Sequence, residues 1–388
     1  MHFTQPQIYE VLEQVLSKED GLEQILKMSL ESLMKSERTI HNESNLDSSN
    51  GFRPRRTFGR GKILELRVPR TRSGSFYPLI LALLKDQEEE CKKIAFKLYS
   101  AGLTTEQVGD LFGEIYGKSY STSQVSRLFD YARDEVQEWI ERPLDSYYPI
   151  CYIDATYIST RRVDSVSKEA YFTILGVRPD RTREVLAVFN NPTEGSSIWE
   201  DIFTDLKSRG VKEIGLIVSD GLQGIETVIN KHFKGTEVQL CAVHLQRESL
   251  KYAKPEHKEE MAEDLKEVFI VNDSSDTQEK GIQRWKEFCV KWGRYYNNFK
   301  AKGERDRYRL YFTYINYDYN IRNMIYSTNW IERLNRDYKR TTKMRGALPN
   351  PEAAILLLAS VAMTRKAYDR KVPNLQCEKK KFRWDEEN

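Results

Sequence analysis

The sequence lacks the features that mark secreted and membrane proteins. Its five cysteines form no CxxC pair and lie far apart, at Cys91, Cys151, Cys241, Cys289 and Cys377. Such an odd, scattered set is typical of reduced thiols in a cytosolic protein. The longest apolar stretch, residues 353–363, is too short to span a bilayer and predicts a buried helix. The first residues show no basic segment followed by an apolar core, so we expect a cytoplasmic protein with no signal peptide and no membrane partner.

A strong net charge is also missing, since 61 basic and 58 acidic side chains give a net charge of only +3. The overall balance therefore does not indicate a nucleic-acid partner, for which local basic density matters more. Apolar residues make up 39% and charged residues 31% of the chain, which is typical of a packed core beneath a charged surface. For a chain of 388 residues we expect two or three cooperating units.

The first 142 residues show mainly helical patterns. Apolar residues recur at helical spacing over 1–46, and we hypothesise that this region dimerises. A polar stretch over 42–51 then predicts a linker, and a basic arm is predicted over 47–78. Over 79–142, two candidate helices begin after Thr104 or Thr105 and after residues 121–123. Two capped helices joined by a Gly-containing connection favour a helix-turn-helix-like DNA-binding domain, with a plain packing role as the alternative.

The middle of the chain predicts an α/β fold. Strand patterns over 148–159, 170–178 and 183–190 are followed by a helix, a strand pattern over 213–221, a second helix and a strand pattern over 236–244. The first three strands are close enough for a meander and the later ones need helical crossovers, so we predict a mixed sheet covered by helices. This core would occupy 143–254 and 321–370, with a helical, aromatic-rich insertion over 255–320 and a tail over 371–388.

Three acids stand in unusual positions. Asp154 interrupts the apolar run PICYIDATYI, where an ionised side chain costs free energy unless something compensates it. Asp220 ends the run IGLIVSDG, and strand ends are where open α/β sheets bind ligands. Glu332 lies among apolar residues of a helix predicted from about Thr328 to Arg340. The alternatives are a turn or helix cap for Asp220 and a surface ion pair with Arg336 for Glu332.

The order of these acids predicts a metal site. An acid on the first strand, one at the end of the fourth and one on a late helix can converge at one sheet edge, where three carboxylates would repel each other without a cation. Two Mg²⁺ ions, for which Mn²⁺ should substitute, would resolve that cost, because Mg²⁺ prefers carboxylate oxygens and leaves positions for phosphate and water. The chemistry predicted is phosphodiester cleavage or strand transfer.

Several stretches of the sequence resemble those of one protein family. The stretches RVPRTRSGSFYP, ERPLDSYYPICYIDATYI, DLKSRGVKEIGLIVSDGLQGI, VQLCAVHLQRESLKY and IYSTNWIERLNRDYKRTTKMRG look like those of the Mutator-type transposases of bacterial insertion sequences, within the ribonuclease H-like DDE recombinases. The resemblance implies a ribonuclease H-like mixed sheet with an all-α insertion, and metal binding and catalysis by Asp154, Asp220 and Glu332. Trp330 departs from the family's commoner wording, which has a small residue there.

The resemblance also carries a Cys-x-x-His, here Cys241 and His244. Two ligands do not make a structural zinc site, and neither His232 nor His257 adds a recognisable zinc pattern. We therefore expect His244 to lie near the active site, where it would position DNA or the glutamate helix. On that helix, three- and four-residue steps place Asn329, Glu332, Asn335, Arg336 and Lys339 on one face, so both asparagines are expected at the site.

Two basic segments are the predicted contacts with double-stranded DNA. Residues 53–72 carry eight basic residues and one acid around a KILELRV core that alternates like a short strand, and residues 333–345 carry six basic residues and one acid. Phosphate contacts would come from Arg53, Arg55, Arg56, Arg60, Arg67, Arg70 and Arg72, and from Arg333, Arg336, Lys339, Arg340, Lys343 and Arg345. Solvated loop, strand or helix surfaces are the alternatives.

The function predicted is a transposase that cleaves the terminal inverted repeats of an insertion sequence and joins the freed 3′-hydroxyl to target DNA. Because two ends must meet, we expect at least a homodimer. Two alternatives stay open: a transposase-derived DNA-binding protein that no longer cuts, and a ribonuclease H-like nuclease without strand transfer. The intact acids argue against the first, and the helical insertion and N-terminal basic regions argue against the second.

Overall fold

The computed structural model describes residues 21–59, 62–116, 133–191, 197–222, 224–303, 305–365, 368–372 and 382–384, together with Glu13 and Ser17. The chain forms two compact units, Met1–Tyr99 with Leu103–Ala132 and Ser100–Gly102 with Arg133–Asn388. None of the helices in these described ranges is both long and apolar enough to cross a membrane.

The first unit is built on a long helix and a hairpin. Helix α1 (Gly21–Asn45) precedes the antiparallel strands β1 (Ser49–Gly59) and β2 (Lys62–Thr71), and helices α2 (Leu79–Ser100) and α3 (Thr105–Tyr116) follow. Alternation along β2 turns Leu64, Leu66 and Val68 toward Leu30 and Met34 of α1, and these side chains form a buried cluster. The strand predicted over KILELRV is therefore confirmed.

The linker predicted over 42–51 is wrong, because α1 continues to Asn45 and β1 already begins at Ser49. Polar composition alone suggested a loop, but the segment is a helix end, a short turn and the start of the hairpin. The partner strand β1 was not predicted, since its run of arginines hides the strand pattern.

Helix α3 begins where its cap residue predicts. The Thr104 hydroxyl accepts a hydrogen bond from the Gln107 amide at 3.2 Å, and the Gln107 side-chain oxygen accepts one from the Thr104 amide at 2.9 Å. This reciprocal arrangement is a capping box. The second predicted helix begins within 117–132, outside the described residues; residues 133–141 are helical and belong to the second unit. The helix-turn-helix therefore stays a prediction.

The second unit contains the predicted mixed sheet. Its five strands run in the order β5-β4-β3-β6-β7, with bounds β3 Tyr147–Arg161, β4 Val166–Val177, β5 Arg183–Asn191, β6 Glu213–Ser219 and β7 Glu237–Leu240. Strands β3, β4 and β5 are antiparallel neighbours, whereas β6 and β7 run parallel to β3. The meander and the helical crossovers expected from the sequence are both confirmed.

Helices connect the later strands of this sheet and form the chain that follows it. Helices α4 (Ser197–Ser208) and α5 (Ile225–His232) make the crossovers, and α6 (Ala242–Lys251) follows β7. A helical segment of α7 (Pro255–Val268), α8 (Gln278–Gly293), the short α9 (Asn297–Lys300) and a 3₁₀ helix (Asp306–Asn316) comes next, and we call it the helical insertion. The chain then forms α10 (Tyr319–Ile325), α11 (Asn329–Lys343) and the apolar α12 (Pro351–Met363).

Aromatic side chains form the core of the helical insertion. Trp285 is 1% exposed and stacks on Phe288 and Tyr308, each with ring centroids 5.3 Å away. Phe269 and Phe312 stack at 5.2 Å. Stacked rings supply large buried areas in a small domain, which explains how short helices can form a stable unit.

A buried arginine ties this insertion to the elements that follow it. Arg322 of α10 is 2% exposed, and its guanidinium donates to the carbonyls of Tyr317 at 3.0 Å, Asp273 at 2.5 Å and Ile315 at 2.7 Å. A planar fork with five donors suits three carbonyls at once. The residue therefore connects α10, the end of the 3₁₀ helix and the loop before α8.

We expect Arg322→Leu to lower the free energy of unfolding of this unit by about 3 kcal/mol, because buried carbonyls would lose their donors. Denaturant titration followed by tryptophan fluorescence measures the change. The matched control is Arg309→Ala, since Arg309 is exposed and pairs only at 3.5 Å with Asp306 three residues away; its cost should stay within about 0.5 kcal/mol. Equal losses in the two variants would contradict the structural role of Arg322.

Candidate active site at the sheet edge

The carboxylate of Asp154 accepts two hydrogen bonds. It lies on the central strand β3 and is only 5% exposed. Its Oδ1 accepts from the Ala155 amide at 2.9 Å, and its Oδ2 accepts from the Asn335 side-chain amide at 2.6 Å. Because Asn335 lies on α11, this second bond fastens the helix that carries Glu332 to the strand that carries Asp154.

Asp220 reaches the same edge because its strand runs parallel to β3. Residues Ile153 and Ser219 are partners across β3 and β6, so Asp154 and Asp220 each follow one member of this pair. Strand β7 is parallel as well, and Cys241 follows it with its amide donating to the Ser219 carbonyl at 2.8 Å. Asp154 therefore lies beside the point where β6 and β7 end, although β3 itself continues to Arg161.

Glu332 lies in the first turn of α11 and faces two cations from α6. Its Oε1 is 3.0 Å from the Arg247 guanidinium and 3.9 Å from His244 Nε2. The other ring nitrogen of His244, Nδ1, contacts Asp220 Oδ1. One imidazole therefore spans two of the three acids, and α6 places positive charge between carboxylates from β6 and α11.

The pKa values record this crowding of charge. Burial, followed by the negative charge of Asp220, raises the pKa of Asp154 to about 7, while His244 opposes the rise. Contact with Asp220, followed by contact with Cys241, raises the pKa of His244 to about 11. At neutral pH the imidazole is therefore a cation between acids.

Cys241 lies behind this imidazole and is fully buried. Its sulfur accepts hydrogen bonds from both the amide and the hydroxyl of Thr328, each at 3.4 Å. The same hydroxyl is 3.4 Å from His244 Nδ1. The ligand atoms of Asp220, Cys241 and His244 all lie within 4.8 Å of one another, which is close enough to share a metal ion.

The face of α11 on which five polar residues were predicted is divided in the structure. Asn335, predicted as a neighbour of the active site, is 4% exposed and donates to Asp154, whereas Arg336 and Lys339 are exposed. Asn329, the other predicted neighbour, is exposed at the start of the helix. Glu332 pairs with Arg247 and not with Arg336, the alternative partner that helical spacing offered.

Most of the predicted basic contacts are exposed. On the hairpin, Arg53, Arg56, Arg67, Arg70 and Arg72 are exposed and Arg55 is half-buried, whereas Arg60 lies outside the described residues. On and after α11, Arg333, Arg336, Lys339, Arg340 and Lys343 are exposed, and the half-buried Arg345 donates to the Gly102 carbonyl at 3.0 Å. Of the exposed hairpin arginines, Arg56 pairs with Glu65 at 2.7 Å.

Sequence reasoning missed two arginines at the site. Arg247 follows His244 by three residues, so helical spacing could have found it.

Arg307, from the 3₁₀ helix, had no such signal. Its guanidinium donates to Glu226 at 2.7 Å and to the carbonyls of Gly221 and Leu222 at 3.2 and 2.6 Å, and it thereby holds the loop directly after Asp220. A Cβ on Gly221 would lie 3.1 Å from the Tyr311 hydroxyl, so the same segment also packs closely on this loop.

We expect Arg307→Ala to speed amide hydrogen exchange in peptides containing residues 220–222 about tenfold, because the loop loses its charged hydrogen bonds. Hydrogen-exchange mass spectrometry measures the rate. The control Arg309→Ala changes an exposed arginine two residues away and should leave these peptides unchanged. Unchanged exchange in Arg307→Ala would mean that the loop is held by other contacts.

The chain is similar in sequence to several transposases of bacterial insertion sequences. The chain is 28% identical over 374 residues to the transposase for insertion sequence element IS256 in transposon Tn4001 of Staphylococcus aureus, covering 94% of this chain and 95% of that protein. It is 29% identical over 307 residues to the transposase for IS905 of Lactococcus lactis, covering 79% and 77%. It is 30% identical over 295 residues to the transposase for ISRM3 of Rhizobium meliloti, covering 76% and 73%.

The sequence model described as "Transposase, Mutator family" matches residues 4–370. That range contains the hairpin, the mixed sheet, the helical insertion and α11, so the match extends over both units. The chain belongs to the Mutator family of transposases.

Proposed function

We propose that this transposase binds the terminal inverted repeats of an insertion sequence, cleaves there, and joins the freed 3′-hydroxyl to target DNA. The relatives are named as transposases for insertion sequence elements, which supports the substrate class. The observation that carries the proposal is the meeting of Asp154, Asp220 and Glu332 through Asn335 and His244 at one sheet edge.

The proposed catalytic fold is ribonuclease H-like. Three antiparallel strands followed by two parallel strands with helical crossovers support it, as do acids on the first strand and after the fourth. The helical insertion between β7 and α11 accounts for the long interval before Glu332.

The donor set fits hard divalent cations. Three carboxylates converge, one of them buried with its pKa raised to about 7 by burial and by Asp220, and this is the electrostatic cost that a bound cation removes. Oxygen ligands of this kind suit Mg²⁺ and Mn²⁺. We assign the metal ligands as Asp154, Asp220 and Glu332. Two bound ions would lower the energy of the attacking and leaving oxygens in an in-line displacement.

The chain's own residues prepare the acids for this role. Asn335 fixes one oxygen of Asp154 in place, so the carboxylate has little freedom to turn. His244 and Arg247 balance the charge of Asp220 and Glu332 and keep the two side chains oriented. Arg247 is exposed, so with metal ions bound to the acids its guanidinium would be available to contact a DNA phosphate.

Positive side chains lead away from the acids along α11. Arg333, Arg336, Lys339, Arg340 and Lys343 are exposed on the helix that begins beside Glu332. We assign them to phosphates near the cleavage point, and the arginines of the β1–β2 hairpin to a DNA groove or backbone further along the element end. Bringing two ends together requires at least a homodimer.

We expect Asp154→Asn to reduce end joining by about 10³-fold or more, because metal-based stabilisation of the transition state is worth several kcal/mol. The assay supplies purified full chain with labelled inverted-repeat ends, a target plasmid and Mg²⁺ or Mn²⁺. The control Asp306→Asn makes the same chemical change at an exposed residue of the helical insertion and should leave joining intact.

The outcomes separate the three candidate functions. If the wild type joins ends and Asp154→Asn does not, the result supports a transposase. Binding of ends without cutting, in the wild type itself, would favour a DNA-binding protein derived from a transposase. Hydrolysis of RNA in a hybrid without any joining would favour a ribonuclease H-like nuclease.

Salt dependence tests the DNA contacts. We expect Arg336→Ala with Lys343→Ala to weaken DNA binding and to lower the slope of log affinity against log salt by about 2, one for each lost phosphate contact. Arg53→Ala with Arg67→Ala should lower it similarly. Fluorescence anisotropy over a salt series measures both. Lys258→Ala changes an exposed lysine of α7 and serves as the control; an unchanged slope in either double variant would remove that patch from the DNA interface.

A further inference from the structure

The fold adds a third ligand to the Cys-x-x-His pair. From the sequence, Cys241 and His244 supply only two metal ligands, which is too few for a zinc site. In the folded chain, Asp220 follows β6 and Cys241 follows the neighbouring strand β7, while His244 is in the first turn of α6. Their ligand atoms all lie within 4.8 Å of one another.

The three side chains offer a mixed donor set of thiol sulfur, imidazole nitrogen and carboxylate oxygen. Zn²⁺ binds all three kinds, and sites with three protein ligands leave a fourth position open. Mg²⁺ prefers oxygen ligands and has little affinity for sulfur. This second group therefore differs in chemistry from the three acids, although it shares Asp220 with them.

The surroundings favour a metal-bound sulfur. Thr328 donates two hydrogen bonds to Cys241 Sγ, from its amide and its hydroxyl, and such donors stabilise a thiolate ligand from outside the coordination shell. The Asp220 and His244 side chains are 29% and 33% exposed, so an ion can arrive from solvent with the sulfur at the inner end. Binding would draw the donors together to about 3.5 Å, the spacing that tetrahedral zinc distances require.

We propose that Asp220, Cys241 and His244 form a Zn²⁺ site that competes with the catalytic metal ions for Asp220. The thiol and the imidazolium each release a proton to solvent when the ion binds, as metal ligation requires. Zinc bound in this site would prevent Asp220 from binding the catalytic metal ions together with Asp154 and Glu332. It would therefore inhibit the reaction that depends on Mg²⁺. The inhibition rests on the proposed function, whereas the binding of zinc does not.

Cobalt spectroscopy tests the site without any activity assay. Purified metal-free full chain is titrated with Co²⁺, and a thiolate-to-cobalt charge-transfer band should appear and then vanish on addition of Zn²⁺. Cys241→Ser should lose the band. Cys289→Ser, the same change at a buried cysteine of α8, should keep it. Absence of the band in a folded wild type, or its persistence in Cys241→Ser, would overturn the proposal.

Inhibition tests the competition. We expect Zn²⁺ to slow end joining in Mg²⁺, and the zinc concentration for half inhibition to rise at least tenfold in Cys241→Ser, with each variant compared with its own rate in the absence of zinc. Equal zinc sensitivity in wild type and Cys241→Ser would overturn the competitive role. If no joining occurs under any condition, the proposed function fails and the cobalt titration still decides the zinc site. Thermal melts of Cys241→Ser and of a second ligand variant, His244→Asn, measure whether the variants fold. A lost cobalt band in a folded variant then reflects the lost ligand.

Discussion

Repulsion among three carboxylates at one edge of the sheet is the constraint on which the second unit depends. Burial of Asp154 makes the repulsion stronger, because a charge in a poorly solvated position is not screened by water. Three side chains offset this repulsion. Asn335 donates a hydrogen bond to Asp154, and His244 and Arg247 contact the other two acids. Both cations come from α6, a helix whose start is fixed by the end of β7. Protein cations therefore balance part of the negative charge of the acids at this edge.

The helical insertion is more than a spacer within this arrangement. Arg307 reaches back from its 3₁₀ helix to the two carbonyls that follow Asp220, and Arg322 collects three carbonyls around the end of the same 3₁₀ helix. Two arginines thus link the aromatic core of the insertion to the loop after β6 and to α10, which leads into the glutamate helix. Arg307 bonds two consecutive carbonyls of the loop after Asp220, whereas Arg322 bonds backbone carbonyls from separate segments. The position of Asp220 is in this sense set by residues more than eighty positions later in the chain.

The strands and the three acids were predictable because each has a local signal. Apolar runs mark the buried strands, an acid inside such a run is costly unless it has a role, and parallel strands end at one edge. The helix cap at Thr104 and the aromatic residues of the insertion also have local signals. The features that the sequence did not predict depend on contacts between distant parts of the chain. Helical spacing predicted Asn335 on one face with Glu332 and Arg336, but its hydrogen bond to Asp154 depends on how α11 packs on the sheet. The β1 strand was hidden by its arginines, and Arg307 had no sequence pattern linking it to Asp220. The third ligand beside Cys241 and His244 depends on strand order, which pairs β6 with β7.

Asp220 is the point at which the two kinds of chemistry meet. It is a carboxylate among carboxylates on one side and lies beside an imidazole and a thiol on the other. A hard ion and a softer ion would each bind it with a different set of partners, and it cannot serve both sets at once. His244 contacts Asp220 directly, so an ion bound by either set of ligands would change this contact. If both proposals hold, metal choice at this edge would depend on whether Asp220 binds the ion together with the other two acids or with Cys241 and His244.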